Sequence, residues 1–143
     1  EVVGSSVMYF RTRIPRNVTL SYNGLAIAPV QAMINGALFE WVVENLLKNS
    51  LDALQGQGEI DVRISDDLEW VYIDVKDTGK GIPKSNFKRI FEPGFTTKTR
   101  GWGLGLSLSR RIIEEYHKGR IYVVDSEPGR GTTIRIALKR LYA

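Results

Sequence analysis

The chain contains no cysteine and a single histidine, His117. The first absence excludes a disulfide framework and any thiolate metal site, and the second excludes multi-histidine metal chemistry. No apolar run approaches the roughly 20 residues that span a bilayer, and no signal peptide is visible, so the chain is expected to be soluble. A phosphate loop ending in Gly-Lys-Ser/Thr is also missing, which removes the Walker route to nucleotide binding.

What remains is a hydrophobic fraction of 43% in 143 residues, enough for one buried core and too short for two ordinary domains. A single domain over residues 1–143 is expected. The start at Glu1, without methionine, suggests a piece of a longer parent. The net charge is +4. Basic residues gather at Lys84, Lys88 and Arg89, at Lys98 and Arg100, at Arg110-Arg111 and at Lys139-Arg140. They lack the interleaved aromatics of a nucleic-acid surface, so no nucleic-acid partner is expected. A polyanionic ligand such as a nucleotide accounts for part of the excess.

Hydrophobic spacing gives the elements. Val18 to Tyr22 alternates weakly and predicts a strand. Ala37 to Leu54 has helical periodicity, with Asn35 as N-cap and Gly56 and Gly58 ending it. Glu59 to Ser65 and Glu69 to Lys76 alternate around Asp66-Asp67, the pattern of a hairpin. Residues 77–102 form a long glycine-, proline- and lysine-rich stretch with a short helical patch at Asn86 to Ile90; a loop of that length is usually functional. Leu104 to His117 predicts a second helix, ended by Lys118-Gly119. Arg120 to Val124 and Thr132 to Leu138 predict the last strands. Helices on one face of a sheet are expected.

Three segments carry chemistry. On the first long helix, Asn45, Asn49 and Asp52 fall within an arc of roughly 60° at the edge of the apolar face. Carboxamide oxygens are hard ligands, suited to a magnesium ion that keeps several waters and leans on substrate phosphates. Asn45 cannot act as a base, and Glu44 points about 100° away around the helix. That arrangement favours phosphoryl transfer to a supplied acceptor over hydrolysis.

The second segment is Asp77-Thr-Gly-Lys-Gly-Ile82. A carboxylate at the strand's end can accept from an exocyclic amine, which adenine offers where guanine has a carbonyl. Gly79 and Gly81 allow a close approach to a flat ring, and Ile82 can cover its face. The third segment is Gly101-Trp-Gly-Leu-Gly-Leu106, opening a helix whose free N–H groups suit phosphate. Lys98, in the loop before it, can reach a terminal phosphate.

Taken together, these segments closely resemble the catalytic ATP-binding domain of bacterial sensor histidine kinases. Asn45 to Asp52 looks like its asparagine box and Asp77 to Ile82 like its first glycine box. Phe91-Glu-Pro-Gly-Phe95-Thr-Thr-Lys98 is similar to its phenylalanine box and lid. Gly101 to Leu106 and Gly129-Arg-Gly-Thr132 are similar to its later glycine boxes. The match runs from about residue 35 to 138. Gly94 stands where a bulky residue is common, and Trp102 where a small hydroxyl residue is.

The resemblance implies a two-layer α/β sandwich with a mixed, mostly antiparallel sheet. It implies ATP and Mg²⁺ as cofactors, with Asn49 on the metal, and Asn45, Asn49 and Lys98 serving catalysis. Asp77 would read the adenine amine, with Thr132 supporting it through water. The rest of the nucleotide site would come from Asp52, Gly79, Gly81, Ile82, Phe91, Thr97, Gly101, Gly103, Leu104, Gly105 and Leu106. The γ-phosphate would pass to a histidine on the parent's separate dimerisation domain, and from there to a response regulator. The domain would be cytoplasmic, on a parent anchored in the bacterial inner membrane. His117 is expected to be a surface or helix-end residue, not the acceptor. The alternatives are a serine kinase of the anti-sigma-factor type, a hydrolytic ATPase, or a degenerate module that senses ATP.

Overall fold

Asn35 begins the main helix as its spacing predicts: its side-chain oxygen accepts the Leu38 N–H at 3.1 Å, satisfying one of the free donors of the first turn. The computed structural model describes residues 2–24, 32–95 and 105–141. In chain order these form α1 (Val2–Arg11), β1 (Val18–Asn23), α2 (Gly36–Leu54), β2 (Gly58–Asp66), β3 (Trp70–Asp77), α3 (Gly105–Arg111), β4 (Arg120–Glu127) and β5 (Gly131–Lys139). The strands make one five-stranded sheet in the order β1-β2-β3-β5-β4. β1 and β2 are parallel, joined through α2; every other pair is antiparallel. The architecture is the expected α/β sandwich with a mixed sheet.

One face of the sheet is apolar because its strands alternate. Val71, Ile73 and Val75 of β3 and Ile134 and Ile136 of β5 are buried, as are Phe39, Val42, Val43, Leu46 and Leu47 of α2. Their intervening neighbours form the other face. There Arg135 forks onto Asp74, its register partner, at 2.7 and 2.9 Å, and lies over the Tyr72 ring. Two of the basic clusters are paired with carboxylates: Arg110 with Glu114 and Arg111 with Glu115 in one, and Arg140 with Asp66 in the other. Among the described residues, no helix is long and apolar enough to cross a membrane.

Three elements differ from the spacing-based reading. α1 buries Val3, Val7 and Phe10, an i, i+4, i+7 stripe that is too short, and too rich in glycine and serine, to announce a helix on its own. The helical patch after Asp77 is two 3₁₀ turns, Lys84–Asn86 and Arg89–Phe91. The helix begun by α3 widens into a π-turn over Ile112–Tyr116 before Lys118 ends it in the left-handed conformation.

His117 is the helix-end residue expected, and it lies in the interior at 8% exposure. Its Nε2 accepts the Asn35 N–H at 3.0 Å, and its Nδ1–H donates to the Ile112 carbonyl at 3.0 Å. Those two bonds select a single neutral tautomer. The ring also packs on Phe39, so the histidine joins the end of one helix to the start of the other.

Candidate nucleotide-binding site

Asp77 is the last residue of β3 and only 5% exposed. It sits at the inner edge of the sheet, where α2 has ended. Its Oδ1 accepts the Gly79 N–H at 2.9 Å, and the Ser50 hydroxyl and the Thr132 N–H also donate to it. These three bonds favour the charged form. Burial outweighs them and pushes the carboxyl above the usual aspartate range.

The loop after Asp77 is fastened on both sides. Toward α2, the Lys80 N–H donates to the Ala53 carbonyl, one of the helix's free terminal acceptors, at 3.1 Å. Toward the turn between β4 and β5, the Gly129 N–H donates to the Lys80 carbonyl at 2.7 Å and the Ile82 N–H to Ser126 Oγ at 2.7 Å. Gly81 lies between these anchors at φ +76°, and a Cβ there would overlap the Glu127 carbonyl. The glycine is required both by its conformation and by the closeness of the turn.

On α2, Asn45 and Asn49 are half-buried and Asp52 is exposed. Asn45 Nδ2 donates to Ser109 Oγ at 3.0 Å, and Ser109 donates its own proton to the Gly105 carbonyl at 2.8 Å. With that proton committed, Ser109 can only accept from Asn45. The amide orientation is thereby fixed, with Oδ1 turned away from Ser109. A Cβ on Gly105 would come within 2.6 Å of that oxygen, so α3 can approach Asn45 only through glycine.

The asparagine stripe, the Asp77 loop, the start of α3 and the β4–β5 turn therefore meet at one end of the sheet. Ile82 and Leu106 are half-buried against the core, and Thr132 is buried beside Asp77 as its register partner. Gly79 packs against the end of α2, where a Cβ would lie 2.5 Å from the Ala53 carbonyl. Phe91 is 5% exposed within the hydrophobic core. Thr97, Lys98, Gly101, Gly103 and Leu104 lie outside the described residues.

Three of the four buried serines among the described residues, Ser50, Ser109 and Ser126, hold site segments together, and spacing gave them no role. Each joins one motif to another. Ser50 stands in the middle of the apolar arc of α2, and a small polar residue at such a position was the available signal.

A divalent cation fits the donor set. The chain would offer a carboxamide oxygen from Asn49, while among the described residues no three His, Cys, Asp or Glu side chains gather to cage a metal. Few protein ligands and a hard oxygen suit magnesium carried largely by phosphates.

The fold is an α/β sandwich with a mixed sheet covered on one face, and a buried carboxylate and an amide-bearing helix lie at one end of it. The comparisons agree. Residues 35–141 match the family model described as histidine kinase-, DNA gyrase B-, and HSP90-like ATPase, and the chain belongs to this family. It is similar to sporulation kinase A of Bacillus subtilis (strain 168), with 43% identity over 96 residues, 67% of this chain and 16% of that protein. Among solved structures, it is similar to the nucleotide-free catalytic domain of histidine kinase ThkA: TM-score 0.85, 26% identity, 97% of this chain and 92% of that one. It is also similar to ThkA in complex with the response regulator protein TrrA: TM-score 0.82, 25% identity, 98% of this chain and 40% of that one. The chain thus spans about a sixth of the curated relative's length.

Proposed function

We propose that this domain binds Mg-ATP and donates the γ-phosphate to a histidine on a separate dimerisation domain, which then serves a response regulator in two-component signalling. The observation that carries the proposal is the buried Asp77 carboxylate at the open end of the sheet, fastened by Ser50 to the helix that bears Asn45 and Asn49. The carboxylate would accept the adenine 6-amino group, and Ile82 would cover the ring. Asn49 would hold the metal, which would supply positive charge against the phosphates. Asn45, oriented by Ser109, would border the phosphates, and Lys98 would approach the terminal one.

In the transfer, an imidazole nitrogen of the acceptor attacks the γ-phosphorus as the bond to the β–γ bridging oxygen breaks, and ADP leaves. Such transfers depend on positioning and charge neutralisation more than on covalent help from the protein. Asn45 has no basic group to take a proton from water, and Glu44 lies about 100° away around α2, which supports transfer over hydrolysis. The full protein would carry this domain on the cytoplasmic side of the inner membrane.

Asn49→Ala tests the metal assignment. Alanine keeps the helix, so melting should change by no more than about 1 kcal/mol. Titration calorimetry with ATP, with and without Mg²⁺, should show that the metal-dependent gain in affinity is lost. An unchanged gain would move the metal site elsewhere.

A further inference from the structure

Asp77, Thr132 and Ser126 lie in one row across β3, β5 and β4, each the register partner of the next. All three are buried, at 5%, 7% and 7% exposure. A buried polar row crossing three adjacent strands is costly unless its bonds are satisfied, and here the bonds have a fixed direction.

Ser126 Oγ has three neighbours: the Ile82 nitrogen at 2.7 Å, the Gly131 carbonyl at 2.9 Å and Thr132 Oγ1 at 2.8 Å. A serine hydroxyl has one proton and two lone pairs. The Ile82 N–H can only donate, and the Gly131 carbonyl can only accept. The serine proton therefore goes to Gly131, and the Thr132 hydroxyl must donate to Ser126. With its own proton committed, Thr132 has only lone pairs left for anything else.

We propose that Ser126 is a positioning residue that sets the base preference of the site by locking Thr132 as an acceptor beside the Asp77 carboxylate. The row then presents acceptors only. It suits a purine with an amino group at C6, met directly or through a water, and opposes one with a carbonyl there. Without Ser126, the Thr132 hydroxyl could rotate and donate to that carbonyl. The proposal rests on the reading in which Asp77 faces the base.

ATP and ITP are the probes, because their bases differ in the C6 substituent and the N1 proton that accompanies it. Calorimetry on the 143-residue chain should show a clear preference for ATP. Ser126→Ala should reduce the ATP:ITP affinity ratio about fivefold, the size of one neutral hydrogen bond, and should leave the Mg²⁺ dependence of ATP binding intact. In a Thr132→Val background, the same change should alter the ratio less than twofold, since there is no hydroxyl left to lock.

Thr132→Val alone gives a second reading that does not require Ser126→Ala to fold. A locked acceptor predicts weaker ATP binding with ITP binding unchanged or stronger. Equal weakening of both nucleotides by Ser126→Ala, or ITP weakened by Thr132→Val, would overturn the proposal while leaving Asp77 as the base reader. Equal affinity of the wild-type chain for ATP and ITP would overturn the base-reading role of Asp77 and this proposal with it.

Discussion

The Asp77 carboxylate is caught between two demands, and pH separates them. Burial raises its pKa despite bonds from Gly79, Ser50 and Thr132. A carboxyl whose folded pKa lies above its unfolded value binds its proton more tightly when folded. The nucleotide-free domain therefore gains stability from this residue as pH falls through the raised pKa to the ordinary aspartate value, and loses that gain as pH rises back through the raised pKa. ATP affinity should run the other way, because the proton occupies the acceptor that would meet the adenine amine. Melting of wild type and Asp77→Asn, each with and without saturating ATP, from neutral pH down into the ordinary aspartate range reads both trends. The variant should be at least as stable as wild type near neutral pH without nucleotide, with a smaller shift on adding ATP and little pH dependence in that shift. An ATP-induced shift in the variant equal to that of wild type at every pH would remove Asp77 from the site.

At the scale of elements, the site depends on a loop clasped between α2 and the β4–β5 turn. Gly81→Ala would force a left-handed residue to carry a Cβ, at about 1–2 kcal/mol, and would also push that Cβ into the Glu127 backbone. Its melting temperature should fall. ATP affinity should fall as well, by about tenfold or more, because Ile82 and the turn move with the loop. Calorimetry at a temperature where the variant is folded separates the two effects, and an unchanged affinity there would show that the clasp serves stability alone.

Much of this element structure was legible. Strict periodicity and a capping asparagine exposed α2, and alternation around Asp66-Asp67 exposed the hairpin. The β4–β5 turn was harder for a specific reason. The register shifts between Val123 and Asp125, so Val124 is extra and the alternation that buries Ile121 changes phase to bury Ser126. Simple alternation points Ser126 outward. The burial of His117 was hidden for a related reason: its partners, Asn35 and Phe39, lie about eighty residues earlier in the chain. Residue types and spacing announce Asn45, Asn49 and Asp77. The serines that hold them in place acquire their roles only through tertiary contact.

On the proposed reading, Asn45 would stand where a hydrolase needs a base, and roughly 10²–10⁴ in rate would be missing from attack by water. His117 is buried, with both ring nitrogens bonded within the fold, and is in no position to accept phosphate. The central claim is therefore transfer to a separate histidine. The most direct measurement incubates the domain with ATP labelled at the γ-phosphate, alone and with an added helical segment carrying the acceptor histidine. The account predicts slow phosphate release and no self-labelling by the domain alone, and acid-labile label on the added segment. Rapid steady-state phosphate release by the domain alone, or acid-stable label on a serine of the partner, would contradict it.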